Sequence, residues 1–462
     1  MKIRIVSCVL GIVFSMSGQS FAASIPPIEQ FISISDLHFN PFSSCKTASL
    51  SSCPIVDKLR VANYQDWDDI LIQDGEDQLA KVGEETNYPL FASTLETLQQ
   101  LEQEKHPAFG IVLGDLLAHD FHGRYIAYSH DYSTKGYEDF VNKTFQFITY
   151  KLHEAMPNLD IYGVVGNNDS YNGDYYVVPN GSFFHDTAKM WANLVRQPNN
   201  KTALLKDFPT AGYYAVMLPD KHTRLIVLNT VLFSSHIEGK ESDLAANQEL
   251  GWLHQQLFSA AQEKQHVLIA FHLPPGIDVH NTVKTVFGNV KEFWQPAYQK
   301  AFLAEMQNNA SIVIGILPGH LHMDAFQLIE AQQTTLPVIF TPGISPQFGN
   351  NPGFKLYSID SESGALKDFD AYYLPKQREL GWQKEYNFNH VYQPTCKMCD
   401  VASGIQKITA VSAESQYYRQ YYAVGNDAQL IAEEKYWPAY WCDLHETNVD
   451  SYRQCTNEAR VG

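Results

Sequence analysis

Short apolar runs that alternate with helical segments constrain this chain more than any other feature. Six runs have the length and composition of buried strands: residues 31–34, 109–113, 161–165, 225–228, 267–271 and 312–317. Helical spacing of apolar residues lies between them, at residues 89–104, 137–156 and 247–264. Strands that alternate with helices predict an α/β fold with a largely parallel sheet arrangement.

Five of the six runs end in residues that bind metals or transfer protons. These residues are Asp36, His38, Asp115, Asn167, His272, His320 and His322. Because open α/β sheets bind ligands outside the carboxyl ends of their strands, we expect the seven side chains to meet at one rim. Each motif alone has a structural explanation, such as a turn or a core histidine, but the set predicts a functional site. Gly114, Gly166 and Gly319 would let the backbone approach that site closely.

The residue types at these strand ends predict the chemistry of the site. Imidazole, carboxylate and amide groups suit divalent transition metals, and no thiolate of a structural zinc site is among them. Seven ligands exceed one tetrahedral site and suit two ions that share a bridging carboxylate. Two ions about 3.5–4 Å apart can clamp both oxygens of an in-line displacement at phosphorus and lower the pKa of a bridging water towards about 7. The sequence therefore predicts a two-metal hydrolase of phosphate esters.

The motifs Asp-x-His, Gly-Asp, Gly-Asn-x-Asp, a lone His and Gly-His-x-His resemble those of the calcineurin-type metallophosphoesterases. Longer segments are similar to acid sphingomyelinase and the acid sphingomyelinase-like phosphodiesterases: residues 35–40, 114–120, 272–276, 319–324 and 342–357. The resemblance spans roughly residues 30–460. No lipid-presenting domain like that of acid sphingomyelinase precedes it, so we expect the shorter, sphingomyelinase-like branch.

The resemblance implies both a fold and a set of ligand roles. The implied fold is a four-layer α/β sandwich of two mixed sheets flanked by helices, followed by a small helical C-terminal subdomain. Asp36, His38 and His322 would hold one metal ion, Asn167, His272 and His320 the other, and Asp115 would bridge them. Zinc is the usual metal of this branch, so two Zn²⁺ ions are the expected cofactors.

One position departs from the family pattern. Asn168 stands where the family usually has a histidine that is a candidate acid for the leaving group. Asparagine can donate a hydrogen bond to phosphate but cannot act as a titrating acid. His119 follows Asp115 by four residues and matches a site histidine of acid sphingomyelinase, so we expect His119 to be the proton donor or a phosphate contact. Endopolyphosphatases of the same superfamily also have Gly-Asn-Asn-Asp.

The first residues and the net charge of the chain indicate its cellular location and its class of partner. Lys2 and Arg4, the apolar stretch from Val9 to Met16 and the small residues around Ala22 predict a cleaved export signal over residues 1–22. Cleavage would take the formal net charge from −18 to −20. An acidic protein repels phosphate backbones, which excludes nucleic acid as an expected partner. We therefore expect a secreted or periplasmic protein with a small-molecule or lipid phosphoester substrate.

Six cysteines remain after the export signal, an even number that suggests disulfides in an exported protein. Cys396-x-x-Cys399 is also the spacing of half a zinc site, although no second close pair completes it. The family resemblance implies local pairing of sequence neighbours: Cys45–Cys53, Cys396–Cys399 and Cys442–Cys455.

The amino-acid composition of the mature chain changes near residue 375. We expect a catalytic domain over residues 23–375 and a helical C-terminal subdomain over residues 376–462 that carries many aromatic residues. Among them are Tyr417, Tyr418, Tyr421, Tyr422, Trp437 and Trp441. They could form a face for transient membrane contact or bury against the catalytic domain, and we favour burial.

Three functions are compatible with the sequence. The leading one is a phosphodiesterase for choline-phosphate lipids or nucleotide-type diesters. An endopolyphosphatase-like hydrolase is the first alternative, because of Asn168, His119 and Asp120. The second is a metal-bound lipid- or surface-binding protein without catalysis, which a replaced ligand would favour. No predicted ligand is replaced.

Overall fold

The computed structural model of the protein describes residues 28–45, 52–237, 239–285, 289–331, 334–360, 363–396, 399–426 and 430–459. The predicted export signal, residues 1–22, lies outside these ranges. Within them, two mixed sheets are flanked by helices, which confirms the fold implied by the family resemblance. None of the helices in the described part of the chain is long and apolar enough to cross a membrane.

The described residues contain twelve strands. In chain order they are β1 (Ile28–Ile34), β2 (Phe109–Val112), β3 (Asp160–Gly163), β4 (Tyr214–Met217), β5 (Thr223–Val227), β6 (His266–Ala270), β7 (Val313–Leu317), β8 (Phe326–Glu330), β9 (Thr335–Ile339), β10 (Gly353–Asp360), β11 (Leu366–Tyr373) and β12 (Gln383–Asn387). The six predicted runs correspond to β1, β2, β3, β5, β6 and β7.

The strands form two six-stranded sheets with parallel centres. The first has the order β12-β11-β10-β1-β2-β3, and the second β4-β5-β6-β7-β9-β8. β1, β2 and β3 run parallel, as do β5, β6, β7 and β9. The expected parallel arrangement therefore holds for the predicted runs. Five of the six other strands add antiparallel pairs at the edges, which makes both sheets mixed.

The described helices flank the sheets. They are α1 (Pro54–Val61), α2 (Trp67–Asp74), α3 (Tyr88–Lys105), α4 (Phe121–Ser129), α5 (Thr134–Ala155), α6 (Ser182–Trp191), α7 (Pro198–Ala211), α8 (Lys240–Gln262), α9 (Val279–Lys284), α10 (Pro296–Asn308), α11 (Phe388–Tyr392), α12 (Val401–Ile405), α13 (Ala413–Tyr421), α14 (Trp437–Asp443) and α15 (Val449–Ala459). The three helical patterns of the sequence are α3, α5 and α8. Asn87 and Ser133 cap α3 and α5 by accepting hydrogen bonds from backbone N–H groups of the first turn.

The two sheets contact each other through buried side chains. The Tyr214 hydroxyl of β4 donates to the Gly163 carbonyl of β3 at 3.0 Å. Phe326 of β8 packs against Phe369 of β11, with ring centroids 6.0 Å apart. This packing brings the carboxyl ends of the parallel strands of both sheets to a common rim.

Residues beyond 375 form one strand as well as the expected helices. β12 pairs antiparallel with β11, so the first sheet extends past the boundary expected at residue 375. The helices that follow pack on the edge of the second sheet, where the Leu328 N–H of β8 donates to the Leu444 carbonyl at 2.8 Å. Because backbone groups join the two parts, the C-terminal segment is attached closely to the catalytic sheets.

The aromatic residues of this C-terminal segment are mostly buried. Tyr418, Tyr422 and Trp437 are buried, and Tyr421 and Trp441 are partly buried. Tyr417 is exposed, with 41% of its surface accessible. Cys45 pairs with Cys53, Cys396 with Cys399 and Cys442 with Cys455, the same three disulfides that the resemblance implies. A sulfur in a disulfide is not a thiolate, so these pairings leave no half zinc site at Cys396 and Cys399.

Candidate metal centre

The two sheets bring the predicted ligands into two adjacent groups. Asp36, His38 and His322 form one group, and Asp115, His272 and His320 form the other, with ligand atoms within 4.8 Å of one another in each. Asn167 joins the second group, because its Oδ1 lies 3.1 Å from Nε2 of His272. All seven residues that sequence analysis selected are therefore assembled at one site.

Asp115 lies between the two groups. Its Oδ2 atom is 3.4 Å from His38 Nε2 and 3.2 Å from His272 Nε2. Asn168 orients this carboxylate, since its backbone N–H donates to Oδ1 at 2.8 Å and its side-chain Nδ2 donates to Oδ2 at 2.9 Å. The buried Asn168 amide therefore contacts a carboxylate of the cluster.

Asp36 carries a buried oxygen without a hydrogen-bond donor. Its Oδ2 accepts hydrogen bonds from the Ser35 hydroxyl at 2.5 Å and the His320 backbone N–H at 3.0 Å. Its Oδ1 has no hydrogen-bond partner, although the residue is fully buried. That atom lies 3.3 Å from His322 Nε2 and 3.8 Å from His38 Nε2. Since buried polar atoms normally have partners, the donor set fits a cation at this position.

Backbone carbonyls fix the orientation of three imidazoles. Nδ1 of His38 lies 2.9 Å from the Leu117 carbonyl, and Nδ1 of His272 lies 2.7 Å from the Leu113 carbonyl. Nδ1 of His322 contacts the Ser345 carbonyl in the same way, at 2.9 Å. Each ring therefore donates a proton away from the site and presents Nε2 to it. Such outer hydrogen bonds are typical of metal-binding histidines.

Strained backbone is concentrated in this cluster. Five of the seven predicted ligands have positive φ angles: Asp36, His38, Asp115, His320 and His322. Residues with side chains rarely adopt this conformation, and surrounding structure must maintain it. Gly166 shows the crowding directly, because a Cβ atom there would lie 2.1 Å from Oδ1 of Asp115.

Burial and charge set the protonation of the cluster. Burial holds the pKa of His38 well below its usual range and lowers that of His320 to about 3. Burial also opposes a charge on His272, but the carboxylates of Asp115 and Asp36 outweigh this effect and raise its pKa to about 9. Neutral imidazoles and ionised carboxylates are the forms that bind metal ions.

His119 lies beside the cluster and has its own partners. Its ring stacks on His38, and its Nδ1 lies 3.0 Å from Oε1 of Glu85. The His119 backbone N–H donates to the same oxygen, and Arg124 forms an ion pair with the other oxygen of Glu85. Burial lowers the pKa of His119, but the hydrogen bond to Glu85 and the charge of Asp115 outweigh it, so the pKa is raised.

A cavity of about 990 Å³ opens onto the two groups. His119, Asn167, His320 and His322 line it at the cluster. Phe348 also lines it and is 48% exposed, and its ring makes a T-shaped contact with that of His322, with centroids 4.7 Å apart. The cavity is large enough for a small-molecule phosphoester to reach the cluster.

Comparison with known proteins agrees with this geometry. A family model described as calcineurin-like phosphoesterase matches residues 30–324. The chain belongs to this family. The protein is therefore a metal-dependent phosphoester hydrolase.

Individual relatives extend the similarity along most of the chain. Acid sphingomyelinase-like phosphodiesterase 3b of Mus musculus is 23% identical over 92% of this chain and 89% of its own length. Sphingomyelinase phosphodiesterase D of Dictyostelium discoideum is 26% identical over 79% of this chain and 80% of its own length. Cyclic GMP-AMP phosphodiesterase SMPDL3A of Homo sapiens is 22% identical over 94% of this chain and 92% of its own length.

The structure of this family member adds residues that sequence analysis missed. Glu85 binds His119 from a loop that carries no motif. Asp174 accepts a hydrogen bond from Asn167 Nδ2 at 2.7 Å, which turns the Asn167 oxygen towards His272. Asp174 follows the Gly-Asn-Asn-Asp motif closely, so the proximity of a carboxylate to that motif was an available signal.

Proposed function

We propose that the protein is an exported two-metal phosphodiesterase. The position of Asp115 carries this proposal, because one carboxylate oxygen faces the histidines of both groups. A dinuclear centre is characteristic of calcineurin-like phosphoesterases. Asp36, His38 and His322 would hold one ion, Asn167, His272 and His320 the other, and Asp115 both. These nitrogen and oxygen ligands suit a divalent transition metal, and zinc is the metal that the family resemblance implies.

Bound there, two divalent ions would activate water and neutralise charge on the phosphoryl oxygens. The protein itself contributes orientation, because carbonyls fix the imidazoles and Asn168 fixes Asp115. His119 would protonate the departing oxygen, and three observations support this role: it is 30% exposed, lines the cavity and stacks on His38. Glu85 holds the His119 ring through Nδ1, which directs Nε2 away from Glu85 and makes it available to a substrate.

The substrate class that we propose is a small phosphodiester, either a choline-phosphate lipid or a nucleotide-type molecule. Two relatives are named for sphingomyelinase and cyclic GMP-AMP phosphodiesterase activities. The polyphosphatase alternative rested partly on Asn168. Both nitrogens of that residue donate to Asp115. These contacts support a role for Asn168 in holding that carboxylate and give no separate support to a polyphosphate substrate.

We further propose the chain organisation expected from the sequence. Residues 1–22 would be a cleaved export signal, residues 23–375 the catalytic domain and residues 376–462 a C-terminal subdomain that adds β12 to the first sheet. The three disulfides support an extracytoplasmic location, because such bonds persist in oxidising compartments.

A substrate panel tests the proposed function. Purified protein would be assayed with bis(4-nitrophenyl) phosphate, sphingomyelin, CDP-choline, ATP, cyclic GMP-AMP and polyphosphate, with and without chelator. We expect chelator-sensitive turnover of a diester and restoration by Zn²⁺. Preferred cleavage of polyphosphate would show that the proposed substrate class is wrong. If none of these phosphoesters is turned over, the proposed phosphodiesterase function is wrong.

A further inference from the structure

Tyr175 has an unusual backbone beside the metal centre. Its φ angle is 56°, in a region that bulky residues rarely adopt. The loop that carries Tyr175 folds back on Asn167, since the Tyr175 N–H donates to the Asn167 carbonyl at 2.9 Å and Asp174 binds the Asn167 side chain. Strain of this kind persists where surrounding contacts maintain it, and it is concentrated at functional sites.

These contacts place the Tyr175 phenol against the cluster. The ring packs on His236, with centroids 4.5 Å apart, and the hydroxyl lies 3.5 Å from Nε2 of His320. Tyr175 lines the cavity together with Asn167 and His320. The hydroxyl therefore lies beside a predicted metal ligand, on a residue that lines the cavity.

The hydrogen-bonding capacity of this hydroxyl is not used up by the protein. A tyrosine hydroxyl can donate one hydrogen bond and also accept. Because Nε2 of His320 faces Tyr175, a metal ion held by His320 would use Nδ1, and Nε2 would then donate its proton to the hydroxyl. In the described part of the chain, His320 is the one hydrogen-bond neighbour of the hydroxyl. The phenol proton is consequently available to a ligand in the cavity.

We propose that the Tyr175 hydroxyl donates a hydrogen bond to a non-bridging oxygen of the phosphoryl group, beside the metal position of His320. This inference rests on the proposed phosphodiesterase function and adds a catalytic residue to it. Negative charge on these oxygens changes as the displacement proceeds, so a fixed donor stabilises the transition state. The strained backbone holds the donor in place before the substrate arrives.

Tyr175→Phe removes the hydroxyl and keeps the ring on His236. Tyr176→Phe is the matched control, because Tyr176 is the next residue and is 61% exposed. With a diester substrate, we expect Tyr175→Phe to lower kcat roughly 10- to 100-fold with little change in KM, since a hydrogen bond to a charged group is lost. Metal content and melting temperature should match the parent protein, and Tyr176→Phe should retain full activity.

A phosphorothioate diester gives a readout that a structural role would not change. Replacing the contacted oxygen with sulfur should slow the parent protein for one diastereomer, and Tyr175→Phe should reduce that slowing while leaving the other diastereomer unaffected. Equal effects on both diastereomers, or full activity of Tyr175→Phe, would overturn the inference. Loss of metal from Tyr175→Phe would also overturn it, because the hydroxyl would then act by holding His320. If the parent protein cleaves no phosphoester, the proposed function itself fails.

Discussion

The imidazole of His119 stacks on that of His38, with ring centroids 4.1 Å apart and planes inclined by 15°. His38 presents Nε2 to the metal centre, and His119 lines the cavity beside it. A group in this position can reach a departing oxygen without displacing a metal ligand.

His119→Ala is expected to impair alkyl diesters far more than nitrophenyl diesters. A positioned acid contributes about 10²- to 10⁴-fold, and an alkoxide needs that proton much more than nitrophenolate does. The measurement is kcat/KM for a methyl or choline diester and for a nitrophenyl diester, with the exposed His185→Ala as control. Equal losses on both substrates at unchanged metal content would instead assign His119 to phosphate binding.

Metal analysis should find about two ions per chain in the purified protein. Asp115→Asn should lose metal and lower activity more than about 100-fold, because a neutral amide replaces the anionic carboxylate that the two ions would share. Asp139→Asn, in an exposed ion pair with Lys135, should change neither quantity. A single tightly bound ion with full activity would contradict the two-metal centre.

Asp174→Ala should weaken metal binding without removing a predicted ligand. The Asn167 amide would lose the partner that turns its oxygen towards His272, and outer partners of this kind contribute about 10- to 100-fold in metal affinity. Zinc titration against a competing chelator measures the change, with the exposed neighbour Asn172→Ala as control. Unchanged affinity would show that Asn167 needs no such support.

The disulfides should differ in their contribution to stability. Cys442 and Cys455 are 13 residues apart, whereas Cys396 and Cys399 are 3 apart. A disulfide that closes a longer loop restricts the unfolded chain more. We therefore expect replacing both cysteines by alanine to lower the free energy of unfolding by about 2–3 kcal/mol at Cys442–Cys455 and by less at Cys396–Cys399. Calorimetry of the two double variants tests the order, and a larger loss at Cys396–Cys399 would contradict it.

Glu249 should make stability decrease towards alkaline pH. This fully buried carboxyl accepts a hydrogen bond from the Asn229 N–H, and burial raises its pKa from 4.5 to about 8. Between these values the folded state keeps a proton that the unfolded state has released, so the free energy of unfolding falls as pH rises. Glu249→Gln should therefore be as stable as the parent protein near pH 4.5 and more stable near pH 8.5.

The expected gain at the upper pH is a few kcal/mol, because one pKa unit corresponds to about 1.4 kcal/mol. Glu241→Gln, an exposed change on the same helix, is the control for loss of one negative charge. Melting temperatures of the three proteins across this pH range provide the measurement. A constant difference between Glu249→Gln and the parent protein would show that the carboxyl does not titrate in this window.

The sequence by itself determined the residue types of the site and their placement at strand ends. Apolar periodicity is a local property, so the ends of β1, β2, β3, β6 and β7 could be located from neighbouring residues alone. Parallel strands of one sheet direct their carboxyl ends to one edge, which explains why Asp36 and Asp115 lie together. His272 follows β6 of the second sheet, so its position beside them depends on how the two sheets pack. Strands such as β11 were missed because Asp368 and Asp370 interrupt its apolar pattern.

Only the tertiary structure decided how those side chains are oriented and supported. Glu85 reaches His119 across 34 residues of sequence, and Tyr175 reaches His320 across 145. Asn168 could equally have faced a substrate, but its loop packs so that both nitrogens bond Asp115. Such contacts depend on how distant segments pack together, and local sequence patterns do not predict that packing.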